Sequence, residues 1–104
     1  MMPTSLTLDT ARCSEGKLTL RAAGEIDLSN VDVFDQTLGA ATAEAAGRGE
    51  TLTVDLTAVE YLDSAAINVL FTRADHIRLL ANPLLIPVFK VSGLSELVAV
   101  ESAG

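Results

Sequence analysis

The sequence has little of what many function classes require. It holds one cysteine, Cys13, in 104 residues, which excludes a disulfide framework; that thiol reads as a small packing side chain. Tryptophan is absent and aromatics make up 4% of the chain, so the core must be built from Leu, Val, Ile and Ala. Bases are scarce: 7 Lys and Arg stand against 14 Asp and Glu, for a net charge of −7. They are also scattered, at Arg12, Lys17, Arg21, Arg48, Arg73, Arg78 and Lys90. Nucleic acid and anionic membrane surfaces call for clustered cations, and neither is an expected partner. The greasiest stretch, 79–89, is interrupted by Asn82, Pro83 and Pro87, well short of the roughly 20 apolar residues of a bilayer span. Met1-Met2-Pro3-Thr4-Ser5 has neither the basic nor the apolar region of a secretory signal. The expectation is a cytoplasmic chain without membrane insertion.

Chemical motifs are equally thin. The sequence has no glycine-rich phosphate loop and no Gly-x-Ser-x-Gly elbow that would pair Ser64 with His76 as a hydrolase. His76 is the one histidine; without a Cys, Asp or Glu cluster at ligand spacing it reads as an exposed helical side chain. No cofactor or metal is expected, and the chain reads as a binder rather than an enzyme.

What is present is a globular composition. Hydrophobic residues make up 49% of the chain and the mean hydropathy is +0.39, which excludes disorder. A chain of this length buries about two-thirds of its unfolded surface in a single core. One domain is expected over 1–104, with its core at about 5–101.

Leu6 and Leu8 alternate with polar residues, as do Leu18, Leu20 and Ala22 after a turn at Ser14-Glu15-Gly16. This period of two predicts an antiparallel hairpin. Ser29 reads as an N-cap with Asp32 three positions on. Phe34, Leu38, Ala41 and Ala45 then share one helical face, ended by Gly47 and Gly49. The 51–56 run, with Leu52, Val54 and Leu56 on one face, predicts a central strand. A second helix is predicted from Asp63 or Ser64, with Ile67, Leu70, Phe71, Ala74 and Ile77 as its apolar stripe and Arg73 and Arg78 facing solvent. It should stop before Asn82-Pro83. Leu84-Leu85-Ile86 reads as a third strand of the α/β type, Pro87 as the start of a short helical turn ended by Gly93, and 97–100 as strand or helix. Tyr61 and Phe71 read as core side chains. The alternation predicts an α/β domain in which helices pack on a mixed sheet, with strands around Leu18, Val54 and Ile86.

Asp63 as N-cap would accept from the amides near Ala65 and Ala66, and Ser64 would sit at about the first helical position. A phosphoryl group there would meet helix N–H groups and the positive end of the helix dipole. A serine is also ordinary at such a junction.

The stretch Asp55-Leu56, Val59, Tyr61-Leu62-Asp63-Ser64-Ala65, Ile67 and Leu70 resembles the central motif of STAS domains, the family of anti-sigma factor antagonists and sulfate transporter tails. Gly24-Glu25-Ile26-Asp27 resembles the family's lead into its first helix, and Gly93-Leu94 with Leu97 resembles its C-terminal end. The resemblance implies an antagonist that binds an anti-sigma factor, a serine kinase of the histidine-kinase-like ATPase class. Ser64 would be the phosphorylated serine, and phosphorylation would dissociate the complex and so regulate sigma-factor-dependent transcription. Asp27, Asp63, Ser64, Ala65 and Ala66 would form the contact face, with Asp27 close to Ser64 and Asp63 repelling the phosphate. The alternative it implies is a STAS subunit of an ABC-type lipid transport system that binds its ATPase without phosphorylation. Two positions depart from the pattern. Ala66 replaces a glycine, which would place a methyl group at the recognition surface, and the 86–93 stretch is shorter than the family's usual third helix.

Overall fold

The computed structural model describes residues 5–12 and 16–102. Cys13 and most of the expected 14–16 turn lie outside them. β1 (Leu6–Arg12) and β2 (Leu18–Ile26) form the antiparallel hairpin that their alternation predicts. The chain then runs through α1 (Val31–Ala46), β3 (Leu52–Leu62), α2 (Ser64–Thr72), β4 (Ile77–Ala81), α3 (Ile86–Ser92) and β5 (Val100–Ser102). The five strands form one mixed sheet in the order β1-β2-β3-β4-β5, parallel from β2 onward. Parallel neighbours joined through helices take right-handed crossovers. Successive crossovers therefore stack the helices on one face of the sheet and align the ends of β2, β3 and β4 along one edge.

The covered face is written in the strands. Leu20, Val54 and Leu79 pair across β2, β3 and β4, and all three are buried. The helices answer with Phe34, Leu38, Ala41 and Ala45 from α1 and Ala66, Ile67 and Leu70 from α2. Burial of each large side chain in this set stabilises the fold by about 2 kcal/mol. The other face is mainly polar and carries Thr19, Thr53 and Arg78 as one cross-strand row.

Several expectations need correction. The second helix stops at Thr72, and after a 3-10 turn at Ala74–His76 the chain is already in β4. Ile77 therefore belongs to a strand, and the sheet forms around Leu18, Val54 and Leu79 rather than Ile86. Leu84-Leu85-Ile86 is not a strand: Pro83–Leu85 is a 3-10 turn and Ile86 begins α3. The Asn82 side chain accepts from the Leu84 amide at 3.0 Å, so Asn82-Pro83 starts a helical segment. Ser29 does not cap α1; its hydroxyl donates to Asp27 Oδ1 at 2.5 Å, and the helix begins after Asn30 without a side-chain cap. Arg73 is half-buried against Asp35 at 3.2 Å, His76 sits on the 3-10 turn rather than on the helix, and Tyr61 is 49% exposed rather than in the core. The 97–100 segment leads into the short strand β5.

Candidate functional site at the start of the second helix

β2 and β3 end side by side, with Ile26 opposite Leu62. Their pairing slips in register between Gly24 and Glu25, where Glu60 is the extra residue on β3, a bulge that re-aims the end of β3. On its other side β2 meets β1 closely at Gly24: its φ is +107°, and a β-carbon there would overlap the Ser5 carbonyl oxygen, the same oxygen that accepts from the Glu25 amide at 3.0 Å. Beyond the bulge the 27–30 loop ties itself together. Asp27 Oδ1 accepts from the Ser29 amide at 2.9 Å. Asn30 Oδ1 accepts from the Asp27 amide at 2.9 Å, and Asn30 Nδ2 donates to the Glu25 carbonyl at 2.9 Å.

Asp63 joins this loop to α2. Its backbone is extended, with φ −100° and ψ −176°, the usual geometry of an N-cap. Oδ1 accepts from the amides of Ala65 at 3.0 Å and Ala66 at 3.2 Å. Oδ2 accepts from the Leu28 amide at 3.0 Å, and the Asp63 amide donates to the Ile26 carbonyl at 3.2 Å. Asp63 thus builds the site, since both its carboxylate oxygens are engaged by backbone. The link from Leu28 to Asp63 sets the loop that carries Asp27 beside the residue preceding Ser64.

Ser64 is exposed at the first helical position, Ala65 is half-buried and Ala66 is buried. Two readings from sequence change here. The amides of Ala65 and Ala66 are not open to a phosphoryl group, because Asp63 already occupies them. Ala66 presents no methyl group at the surface: it is 0% exposed, since the third position of the helix turns toward the sheet.

An open groove of about 450 Å³ adjoins Ser64. Leu62, Ile67, Pro87, Val88 and Val91 supply its apolar walls, with Asp63, Ser64 and Ser92 as the polar members. α3 forms one side, and Gly93, in the left-handed conformation at φ +84°, ends that helix. The sequence reading missed the α3 wall. Its signal was Val88 and Val91, apolar residues at i and i+3 in a helix whose buried anchor is Phe89. Among the described residues no group of three or more His, Cys, Asp or Glu is placed to hold a metal ion. No described helix is long and apolar enough to cross a membrane.

Three solved structures share the fold. An anti-sigma factor antagonist from Mycobacterium paratuberculosis superposes with a TM-score of 0.81 at 23% identity, over 93% of this chain and 86% of that one. The anti-sigma factor antagonist SpoIIAA in its unphosphorylated form gives 0.69 at 17% identity, over 94% and 89%. An uncharacterized DUF3478 protein with a SpoIIAA-like fold from Shewanella loihica gives 0.56 at 12%, over 98% and 88%. No curated protein sequence matches the chain. The family model described as "Mlab, STAS domain" matches residues 10–99, and the chain belongs to the STAS domain family.

Proposed function

We propose that this chain is an anti-sigma factor antagonist of the cytoplasm, acting by binding and not by catalysis. Its partner is an anti-sigma factor, a serine kinase of the histidine-kinase-like ATPase type. The kinase transfers the γ-phosphoryl group of ATP to Ser64 Oγ and releases ADP; the phosphorylated form leaves the complex, and sigma-factor-dependent transcription follows that cycle. The observation that carries this reading is the exposed Ser64 on a helix end fixed by Asp63 and bordered by an apolar groove. A phosphate there adds about −1.5 to −2 charges beside a carboxylate, and the nearest helix amides are already taken. With the Ala65 and Ala66 amides held by Asp63, the charge stays in water and obstructs a dry contact. The partner face is Asp27, Ser64 and Ala65, positioned by Asp63 and by the buried Ala66.

The apolar groove also favours a second reading. Permanent interfaces are more hydrophobic than transient ones, so the same helix end suits a STAS subunit held on the ATPase of an ABC-type lipid transport system without phosphorylation.

One experiment tests both. Wild type, Ser64→Ala and Ser64→Glu are incubated with the anti-sigma kinases of the source genome and with its ABC-type ATPases. Phosphate incorporation that disappears in Ser64→Ala, with weaker kinase capture by Ser64→Glu and an unchanged unfolding midpoint, supports the antagonist. Equal capture by all three forms without incorporation removes the switch and favours the transport subunit.

A further inference from the structure

The helices cross one face of the sheet, and among the described residues the opposite face is bare. None of the strand residues that point to it is buried: Thr19, Thr53, Asp55, Arg78 and Leu80 are half-buried, and Arg21 and Ala58 are exposed. β2 to β5 are parallel, and parallel sheets are as a rule covered on both faces. Threonine and alanine are short enough to let a second sheet approach to the roughly 10 Å of packed layers.

The strand registers order this face into rows. One unbroken row runs Asp9, Arg21, Asp55, Leu80, Glu101 across all five strands. A second row sets Thr19 beside Thr53, and a third sets Ala23 beside Ala58. Arg21 makes no ion pair with either acidic neighbour among the described residues. Asp55 commits only Oδ1, which accepts from the Thr57 amide at 3.0 Å and the Thr57 hydroxyl at 2.7 Å.

These rows complement themselves. A second copy can lie face to face with the first, on a two-fold axis that runs parallel to the strands between β2 and β3. That axis exchanges β2 with β3 and β1 with β4 and keeps each row level. Arg21 of each copy then faces Asp55 of the other, because a two-fold contact is reciprocal. Thr19 meets Thr53, and Ala23 meets Ala58. At the rim Asp9 falls over Leu80 with its carboxylate in water. β5 has no strand opposite it, so Glu101 keeps its own partner Arg78. An axis along the charged row would instead set Arg21 on Arg21 and Asp55 on Asp55, which like-charge repulsion disfavours.

We propose that the open face of the sheet is a homodimer interface of this two-fold kind, with Arg21 and Asp55 as its reciprocal ion pairs. The patch from β1 to β4 measures roughly 20 Å by 25 Å. That is less than the roughly 800 Å² a side of a standard interface, so the association is weak and concentration-dependent. Because the axis follows the strands, both Ser64 helix ends lie at the same end of the dimer and stay free. The interface stands whatever Ser64 binds.

The test is sedimentation velocity of the full chain over a concentration series, with amide NMR shifts followed over the same series. A mass that rises from one chain toward two supports the proposal when the concentration-dependent shifts fall on Thr19, Arg21, Thr53, Asp55 and Ala58. Arg21→Asp sets acid against acid across the interface and should weaken association about tenfold or more. Adding Asp55→Arg to the same chain exchanges the two charges and should restore the dimer. Ala58→Arg, at an exposed position, should abolish it by bulk, and decides the matter if the exchanged chain does not fold. A chain that stays monomeric to its solubility limit overturns the proposal. So does a dimer that Arg21→Asp and Ala58→Arg leave intact, a folded exchanged chain that fails to associate, or shifts confined to α3 and the Ser64 groove.

Discussion

The two ends of the sheet use charge in different ways. Where the parallel strands begin, acids meet bases of the same chain. Arg12 reaches Glu44 at 2.9 Å and Glu50 at 3.6 Å. The wide cleft at that end is lined by charges of both signs, among them Lys17, Glu50, Asp75 and Arg78. Where the strands finish, Asp63 spends its oxygens on three backbone amides, and Ser64 stands exposed beside an apolar groove. Charges paired within the chain describe a surface that is complete in itself. Exposed apolar area beside a helix end held by backbone describes one that a partner completes.

The contrast can be broken most forcefully at Asp63. Asp63→Ala removes the cap of α2 and the hydrogen bond from the Leu28 amide. A cap is worth about 1 kcal/mol and the hydrogen bond from the Leu28 amide about another, so urea unfolding should show a loss of about 2 kcal/mol. A loss within about 0.5 kcal/mol, the range of an ordinary surface change, would mean that Asp63 does not tie the two segments together. Ala66→Gly comes next. It forfeits about 1 kcal/mol of helix propensity, and because Ala66 is buried it also loses part of the roughly 0.8 kcal/mol of a buried methyl. The unfolding free energy should fall by about 1 to 2 kcal/mol; no change would place this residue outside the packed helix. The smallest effect is expected away from the site, at Arg78→Ala. That residue pairs with Glu101, the two side chains being 40% and 59% exposed, and such pairs are worth less than about 1 kcal/mol. Its loss should barely move the midpoint and should shrink further in salt. A cost matching that of Asp63→Ala would erase the distinction between the two ends.

Much of the site was legible because its chemistry is local. Asp63 and the amides it caps lie two and three residues apart, and N-cap preference reads directly from such spacing. The Leu28 contact spans 35 residues and has no sequence signature. The inward turn of Ala66 was hidden too, because helical phase becomes visible only once the sheet beneath α2 is in place.

The fold divides along the same line. The sequence by itself determined the hairpin, α1, the central strand and the start of α2, because each has a long period-two or period-3.6 pattern that one burial face explains. The 77–86 region was decided by tertiary structure. Ile77 continues the spacing of Ile67, Leu70 and Ala74, yet Ile77, Leu79 and Ala81 also alternate, so local periodicity supports both helix and strand. The open edge of β3 settles the matter, pairing Leu52–Leu56 with Ile77–Ala81 in parallel and burying the alternate side chains that a solvent-facing helix would expose. A strand's value depends on the neighbour that accepts its hydrogen bonds, and the sequence of the strand does not name that neighbour.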